Sequence, residues 1–349
     1  MTTASVQEHL LGLVDARLEA FLDLRRAEAT DPSFTRLWDL LAQSCQRGKR
    51  IRPLLVLTVA TGAGTRMDPA TLAAAAGVGA AFEILHTGFL IHDDIMDRDV
   101  QRRGRPTVAA ALMGVARDGG DTDATHTGAS AAIITGDLAL TGAYRLLADA
   151  GPSMSRVVDI VDEALRRTAE GQLRDISTTP AARPREEDLL DLARLKTGVY
   201  SFEAPIACGA VLGGLGPTPT AQLAAGARDL GGAFQVVDDL LGTVGDPGLT
   251  GKSTSSDLRR RKHTVLTVWA ASRDARWPSI WEDLGRGDSE EAEHLAREVI
   301  VSSGADDHAR ELSAALHDSA RTHFTHPSVP EPLARALVAL TDTLEARSR

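Results

Sequence analysis

The sequence predicts an all-α globular protein, and three of its features support that fold class. Hydrophobic residues make up 43% of the 349 positions and charged residues 25%, which suits a large core with a soluble surface. Stretches rich in Ala, Leu, Arg and Glu lie between clusters of glycine and proline, and this mixture favours helices over strands. No stretch of useful length alternates apolar and polar residues and no internal repeat is evident, so a β-sandwich, a Rossmann sheet or a solenoid is not supported.

The segments between these breakers define the predicted helices in chain order. A polar, glycine-bearing stretch over residues 118–128 is predicted to be a surface loop. No linker-like change of composition divides the chain, so residues 1–349 are predicted to form one domain. The predicted helices cover residues 5–27, 33–46, 52–61, 69–98, 105–117, 129–149, 153–176, 186–213, 218–243 and 262–275, followed by shorter helices.

The segment over residues 69–91 is apolar enough to raise the question of a membrane span. Glu83 and His86 are its only strongly polar residues. The segment is rich in Ala and Gly rather than Leu, and it runs directly into four carboxylates within residues 93–99. We therefore expect a buried central helix and no membrane span.

Charge and cysteine content limit the partners and the compartment. Lysine and arginine number 38 against 48 acidic residues, a net charge of −10 that argues against a broad hold on nucleic acid. Cys45 and Cys208 have no metal-binding or disulfide spacing, which fits buried thiols in a reducing compartment. The first residues have no secretory signal pattern, so we expect a cytoplasmic protein.

Three aspartates at the end of the apolar segment form the first candidate site. Asp93 and Asp97 are one helical turn apart on the same face, and Asp94 lies one position round. Like charges at this spacing repel unless hard cations bind among them, and Mg²⁺ takes a few carboxylates together with phosphates and water. Such a triad is expected about once by chance in so acidic a chain, so the motif is weak by itself.

A second acidic pair strengthens this interpretation. Asp238 and Asp239 end another strongly apolar helix, where buried acids without partners would be costly. Two carboxylate pairs on two apolar helices predict facing metal sites in a helical cavity. A solvated helix face would not explain why both pairs follow apolar segments.

Basic residues are concentrated in four clusters of this otherwise acidic chain. Cations beside metal-binding acids indicate a small polyanionic ligand, most simply a diphosphate bridged by magnesium and held by arginine. The usual alternative, a solvated helix face, explains one such cluster better than it explains four. The clusters are residues 47–53, residues 102–107, residues 196–197, and Lys252 with residues 259–262.

In this order the motifs resemble those of the trans-isoprenyl diphosphate synthases, the polyprenyl synthetase family. Any one motif is common, but their ordered co-occurrence over about residues 45–270 is highly specific. The matched pieces are Gly48-Lys49-Arg50-Ile51-Arg52-Pro53, Glu83-Ile-Leu-His86, Asp93 with Asp94 and Asp97, Arg102-Arg103-Gly104-Arg105-Pro106-Thr107, Gly136-Asp137, Gly171-Gln172 with Asp175, Lys196-Thr197, Phe234-Gln235 with Asp238-Asp239, and Thr250-Gly251-Lys252.

The resemblance implies a single-domain isoprenoid synthase fold, with helices around a deep central cavity, and usually a homodimer. It implies head-to-tail condensation of isopentenyl diphosphate with an allylic prenyl diphosphate, with diphosphate as the leaving group. Three magnesium ions are expected, held by Asp93, Asp97 and Asp238, and Asp94 and Asp239 complete the two acidic motifs.

The resemblance also divides the basic and polar residues between two substrates and the reacting centre. The expected residues are Arg102, Lys196, Lys252 and Lys262 for the allylic diphosphate; Lys49, Arg52, His86 and Arg103 for isopentenyl diphosphate; and Lys196, Thr197 and Gln235 for stabilising the allylic cation.

Two positions depart from the family pattern. Gly242 replaces the third aspartate of the second motif, a variant that we take as compatible with activity. Arg261 stands where a glycine usually precedes the last lysine, and this departure bears on the role of Lys262.

Product length is predicted from the helix that carries Asp93. Phe89 is four positions earlier, about 6 Å along the axis, and Gly88 is five earlier. In the family that the sequence resembles, members that stop at fifteen carbons often carry a bulky ring five positions before this aspartate, alone or with one four positions before it. Because Gly88 is small and Phe89 is bulky, the resemblance implies that the growing prenyl tail passes one further unit. We therefore predict the twenty-carbon geranylgeranyl diphosphate as the main product.

Other functions remain as alternatives. They are a farnesyl or longer-chain polyprenyl diphosphate synthase, a class I terpene cyclase, and a non-catalytic subunit of a heteromeric synthase. The second acidic triad of a terpene cyclase is not found, and the motifs that non-catalytic subunits typically lose are present.

Overall fold

The computed structural model describes residues 3–46, 48–62, 69–102, 104–245, 256–287 and 289–346. Within these ranges the chain is almost entirely helical, which confirms the predicted all-α class. The helices are α1 (Thr3–Glu28), α2 (Pro32–Cys45), α3 (Ile51–Gly62), α4 (Pro69–Met96), α5 (Val108–Asp118), α6 (Ala124–Leu147), α7 (Met154–Ser177), α8 (Glu186–Ala193), α9 (Ala204–Leu212), α10 (Pro217–Val244), α11 (Ser256–Arg259), α12 (Val265–Arg273), α13 (Trp277–Asp283), α14 (Glu290–Ser302), α15 (Ala305–Phe324) and α16 (Glu331–Glu345).

Shorter elements connect some of these helices. A hairpin of two-residue strands, β1 (Gln101–Arg102) and β2 (Arg105–Pro106), lies between α4 and α5. A 3₁₀ turn (Ala148–Ser153) joins α6 to α7, and a π-helical segment (Arg194–Glu203) joins α8 to α9.

Contacts divide the chain into two compact units. Unit 1 comprises Met1–Asp162 and Ala204–Gly216, and unit 2 comprises Glu163–Glu203 and Pro217–Arg349. The one-domain organisation and the deep central cavity that the sequence suggested remain predictions.

Unit 1 is organised around α4, which packs against α1, α3 and α6. Small residues on α4 and α6 allow the two helices to approach closely. A Cβ atom added at Gly88 would lie 3.0 Å from the Cβ atom of Ala139, and one added at Gly136 would overlap the ring of His92. This contact fixes the end of α4 that carries the first acidic motif.

Two stretches are long and apolar enough to cross a membrane by length and composition. One is α4, with a mean hydropathy of 1.5 and 83% of its most apolar window buried, and the other runs over Ala124–Ser177 with 44% buried. The burial of α4 agrees with the expected buried helix, because core helices of this composition pass the same test.

Unit 2 is organised around α10, which packs against α15 and the π-helical segment. Beyond α10, the apolar faces of α12, α13, α14 and α15 form one core cluster that includes Trp277 and Trp281. The indole Nε1 of Trp281 donates to the carbonyl of Pro180, which ties the segment before α8 to this cluster. The cluster supports the polypeptide that follows the second acidic motif.

The predicted loop over residues 118–128 is wrong in its second half, because α6 begins at Ala124. The carboxylate of Asp121 accepts from the backbone N–H of Asp123 and from the Thr127 hydroxyl, which orders the first turn of α6. A Cβ atom at Gly128 would lie 2.6 Å from the carbonyl oxygen of Ala109 in α5. This glycine therefore allows close helix packing, whereas the sequence suggested a helix breaker.

Three other predicted helices also need correction. Residues 105–106 form a strand rather than the start of a helix, because Thr107 caps α5. The predicted helix over 186–213 is continuous, but its middle third is π-helical. The predicted helix over 262–275 begins only at Val265, where Thr264 supplies the cap.

Candidate active site

The first acidic motif lies at the C-terminal end of α4 in unit 1. Asp94 is buried, and the side chain of Asp93 is 25% exposed. Arg102 approaches both carboxylates, with 2.5 Å from its Nε to Oδ1 of Asp94 and 3.8 Å from Nη2 to Oδ2 of Asp93. Burial raises the pKa of Asp94 to about 6, although the Arg102 guanidinium opposes this rise. Part of the negative charge of the motif is thus balanced within the protein.

The hairpin after α4 explains how Arg102 reaches these acids. Arg98 adopts a left-handed backbone with φ of 56°, which ends the helix, and Gly104 has φ of 73° at the turn of the hairpin. The backbone N–H of Thr107 then donates to the carbonyl of Val100. The chain therefore folds back over the end of α4. Arg103 lies outside the described residues.

Three of the predicted isopentenyl diphosphate ligands also belong to unit 1. Lys49 is exposed just before α3, Arg52 is half-buried in the first turn of α3, and His86 is half-buried on α4. A Cβ atom at Gly48 would lie 3.1 Å from Oε1 of Glu83, which is one turn before His86 on α4. The Gly48–Lys49 segment is therefore held close to the part of α4 that carries His86.

The predicted chain-length residues have different environments. The Cα atom of Gly88 faces α6, since an added Cβ atom would also lie 3.2 Å from the carbonyl oxygen of Gly136. Phe89 is half-buried on α4, one turn before Asp93. Helix packing accounts for the missing side chain at Gly88, so the prediction of product length rests on Phe89.

The second acidic motif lies near the end of α10 in unit 2. Asp239 accepts a hydrogen bond of 2.8 Å from Nε2 of Gln235, one turn earlier on the helix. Burial raises the pKa of Asp239 to about 7, and the positive charge of Lys262 acts in the opposite direction. Asp238 and Asp257 add to the negative potential at this carboxyl group. The site concentrates acidic groups that favour a cation.

A second cation in unit 2 comes from the π-helical segment. Nζ of Lys196 lies 2.6 Å from Oδ2 of Asp175 on α7. Burial alone would raise the pKa of Asp175, but the charges of Lys262 and Lys196 outweigh it, and the pKa lies below its ordinary value. Thr197 follows on the same segment and is half-buried. Asp175 belongs to a sequence motif but was not predicted as a site residue.

Lys262 is brought to the same cluster despite the departure at Arg261. Arg261 has a φ of 51°, the left-handed region that a glycine would adopt freely. Its side chain packs on Gly285, and Nη1 donates to the carbonyl of Trp281 over 3.4 Å. The backbone thus keeps the geometry that a glycine would allow, and Lys262 acts on both Asp175 and Asp239. Lys252 lies outside the described residues.

Sequence reasoning missed Asp257, which lies beside the other departure from the family pattern. A Cβ atom at Gly242 would lie 3.1 Å from Oδ2 of Asp257 on α11. A carboxylate therefore lies next to the position where the third aspartate of the second motif is missing. An isolated aspartate before a basic run carries no signal of this in the sequence.

The oxygen donors of both motifs fit magnesium that arrives with a phosphate ligand. Among the described residues, no group of three His, Cys, Asp or Glu side chains could hold a metal ion by itself. Mg²⁺ usually binds one or two carboxylates and completes its octahedron with water and substrate phosphates. Asp93, Asp97 and Asp238 offer such hard donors, with cationic side chains nearby for the phosphate charge.

Comparison with known proteins identifies the family. A sequence profile described as polyprenyl synthetase matches residues 35–300. The chain belongs to the polyprenyl synthetase family. This membership confirms the family and the prenyltransferase class that the ordered motifs predicted.

Relatives of this polyprenyl synthetase differ in the product that their names state. A geranylfarnesyl diphosphate synthase of Aeropyrum pernix is 34% identical over 86% of this chain and 90% of its own length. A (2E,6E)-farnesyl diphosphate synthase of Mycobacterium tuberculosis is 33% identical over 80% of this chain and 72% of its own. The crystal structure of a geranylgeranyl pyrophosphate synthase from Corynebacterium glutamicum, complexed with isoprenyl diphosphate and magnesium, matches with a TM-score of 0.89 and 30% identity over 97% of this chain and 98% of that one.

Proposed function

We propose that this chain is a magnesium-dependent isoprenyl diphosphate synthase. It joins isopentenyl diphosphate head to tail with an allylic prenyl diphosphate, releases diphosphate, and forms geranylgeranyl diphosphate as its main product. The observation that carries this proposal is the structural match, over 97% of this chain and 98% of that one, to a synthase whose structure contains isoprenyl diphosphate and magnesium. The acidic and basic clusters of both units supply the chemistry that such a reaction needs.

Three aspartates are the proposed magnesium ligands. Asp93 and Asp97 lie on one face of α4, and Asp238 lies near the end of α10. Bound magnesium, three ions in this proposal, would neutralise the diphosphate and make it a better leaving group. Asp94 is buried beside these ligands and holds Arg102 in place through a hydrogen bond. Asp239 is half-buried and holds Gln235 in the same way.

The basic residues divide between the two substrates in this proposal. The allylic diphosphate is held by a set that neutralises the charge released when its C1–O bond breaks. Isopentenyl diphosphate is held by a separate set, so that its double bond attacks C1 of the allylic cation. The resulting cation then loses a proton, which the released diphosphate accepts, and the new double bond forms. The first set is Arg102, Lys196, Lys252 and Lys262, and the second is Lys49, Arg52, His86 and Arg103. Lys196, Thr197 and Gln235 supply polar groups that stabilise the cation.

Turnover by purified variants tests this function. The wild-type chain alone should form prenyl diphosphates from isopentenyl diphosphate and an allylic starter only when Mg²⁺ is present. Asp93→Ala and Asp238→Ala should each lower kcat by at least about a hundredfold, since each removes a proposed metal ligand. Circular dichroism should show unchanged helix content. Near-normal turnover of either variant would contradict the assigned ligands, and an inactive wild-type chain would favour a non-catalytic subunit.

Product length has its own test at Phe89. The tail of the growing product is proposed to run along α4 from Asp93. Phe89→Ala removes a phenyl ring and should therefore enlarge the space for the tail. With farnesyl diphosphate as starter, mass spectrometry should show the product distribution moving to longer chains. An unchanged product distribution would mean that residues other than Phe89 limit the length of the prenyl tail. A wild-type product of 15 or 25 carbons would contradict geranylgeranyl diphosphate as the main product. It would instead indicate farnesyl or geranylfarnesyl diphosphate, the products for which two relatives are named.

The proposal also includes a cytoplasmic homodimer without a membrane span. Most of the apolar window of α4 is buried, which supports the absence of a membrane span. Sedimentation of the purified chain without detergent measures both the oligomeric state and the solubility.

A further inference from the structure

Arg50, directly before α3 in unit 1, has an unusual backbone conformation. Its φ is 50°, in the left-handed region that disfavours residues with a side chain. Its carbonyl oxygen accepts a hydrogen bond of 3.0 Å from the backbone N–H of Leu54, so Arg50 forms the entry to α3. The conformation of this single residue therefore sets the angle between the segment before α3 and the helix itself.

The Arg50 side chain explains how this conformation is maintained. Its Nη1 lies 2.8 Å from Oε1 of Glu83 on α4, and its Nη2 lies 2.8 Å from Oδ1 of Asp15 on α1. The side chains of Arg50 and Glu83 are 13% and 5% exposed, whereas that of Asp15 is 51% exposed. One guanidinium thus links the start of α3 to two other helices of the same unit.

Glu83 also lies close to Gly48, through the same oxygen that pairs with Arg50. Oε1 of Glu83 lies 3.1 Å from the position of a Cβ atom at Gly48, so only a residue without a side chain fits there without displacement. The second oxygen, Oε2, is buried and has no hydrogen-bond partner among the residues that the structure describes. A buried carboxylate that is ion-paired through one oxygen and has no hydrogen bond on the other is a costly feature, and apolar residues often serve stability equally well. Its presence here points to a role in positioning.

The pair lies between the proposed ligands of isopentenyl diphosphate. Lys49 precedes Arg50 directly, Arg52 follows two residues later, and His86 is one turn after Glu83 on α4. We propose that the Arg50–Glu83 ion pair is a positioning device that sets Lys49 and Arg52 relative to His86 for the diphosphate of isopentenyl diphosphate. This inference rests on the proposed function and assigns neither residue a contact with substrate.

Steady-state kinetics of Glu83→Gln tests the inference. The amide keeps the size of the side chain but loses the charge that holds Arg50. The KM for isopentenyl diphosphate should rise about tenfold, equivalent to about 1.4 kcal/mol, while the KM for the allylic starter stays within about twofold. An equal rise of both KM values, or no rise, would overturn the positioning role.

A matched control is a second ion pair that anchors α1 in unit 1, that of Arg17 with Asp149. Nε of Arg17 lies 2.5 Å from Oδ2 of Asp149 and Nη2 lies 3.1 Å from Oδ1, and neither residue belongs to a proposed site. Asp149→Asn should lower the thermal midpoint without changing either KM. If Asp149→Asn raised the KM for isopentenyl diphosphate as much as Glu83→Gln does, the effect would be one of general stability and the proposal would fail.

A milder variant decides the question if Glu83→Gln does not fold. Asp15→Asn removes only the exposed partner of Arg50, and it should raise the KM for isopentenyl diphosphate about two- to threefold, with the KM for the allylic starter unchanged. No change in a folded Asp15→Asn protein would then overturn the proposal. A wild-type chain without turnover would instead contradict the proposed function, so the two failures are distinguishable.

Discussion

At the scale of single residues, Arg261 shows how a departure from a family pattern can leave the geometry intact. Its backbone has a φ of 51°, and its guanidinium lies against Gly285, where a Cβ atom would be 2.6 Å from Cζ of Arg261. The contact with Gly285 offsets part of the cost of a left-handed arginine, about 1–2 kcal/mol. Lys262 therefore keeps its influence on the two acidic groups of unit 2.

Substitution of Arg261 tests this explanation. Arg261→Gly should change the free energy of unfolding by less than about 1 kcal/mol, because relief of the left-handed backbone compensates for lost side-chain contacts. Its kcat should stay within about threefold of the wild type. Arg261→Val should be less stable than Arg261→Gly by at least about 1 kcal/mol, since a β-branched residue tolerates this φ poorly. Denaturant titration and turnover measure both effects, and equal stability of the two variants would contradict a backbone role.

At the scale of elements, the π-helical segment depends on a glycine in α7. A Cβ atom at Gly171 would lie 2.5 Å from the backbone nitrogen of Lys196 and 2.8 Å from the carbonyl carbon of Leu195. The ion pair of Arg194 with Glu203, 2.7 Å between Nε and Oε1, joins the first and last residues of the segment. Such π-helical irregularities are frequent at functional sites because they re-aim side chains. Here the segment presents Lys196 to Asp175.

Two glycine-to-alanine variants separate backbone contact from helix propensity. Gly171→Ala should destabilise the protein by about 1–3 kcal/mol and lower kcat, because the methyl group pushes Lys196 away from Asp175. Gly198→Ala is the control in the same segment, since its Cβ atom would meet Cγ of Arg194 at an ordinary 3.6 Å. Thermal unfolding and turnover should show little change for Gly198→Ala. Equal losses in both variants would mean that the segment tolerates no side chain for reasons other than the contact with α7.

At the scale of the whole molecule, each of the two acidic motifs contains a carboxyl group whose pKa lies above that of an ordinary aspartate. Burial raises the pKa of Asp94 to about 6 and that of Asp239 to about 7, against an ordinary value of 3.8. Between pH 4 and 7 these two carboxyl groups of the metal-free protein bind more protons in the folded state than in the unfolded chain. Their contribution to stability should therefore decline as pH rises through this range. If magnesium binds at the neighbouring Asp93, Asp97 and Asp238, as proposed, the growing negative charge of Asp94 and Asp239 should strengthen its affinity over the same range.

Thermal shift experiments at two pH values measure how magnesium binding depends on pH. Mg²⁺ with inorganic diphosphate should raise the thermal midpoint by about 3–5 °C at pH 8 and by less at pH 6. Either component alone should have a smaller effect, because the described residues hold no group of three metal-ligating side chains. Asp93→Ala should lose most of the shift at pH 8. A shift that is the same at both pH values, or one that Mg²⁺ alone produces in full, would contradict this reading of the acidic motifs.

The sequence predicted most helices of the fold because their signals are local. Helix α10 runs over Pro217–Val244 where a helix over 218–243 was predicted, and α7 agrees as closely. Some of the errors occur where glycines serve packing between helices. Gly128 and Gly88 resemble breakers or open space in the sequence, but each allows a neighbouring helix to approach, and only the position of that neighbour reveals this.

The sequence by itself determined the helical class, the family and the residues of both acidic motifs, because spacing along a helix and the order of motifs are properties of the chain. Only the tertiary structure revealed Asp257 beside Gly242, the left-handed Arg261 that keeps Lys262 at its acids, and the buried link from Arg50 to Glu83. These contacts join residues that are 15 to 33 positions apart or, for Arg261, depend on a backbone angle. A contact of this kind depends on how two elements pack, which spacing along one element does not encode.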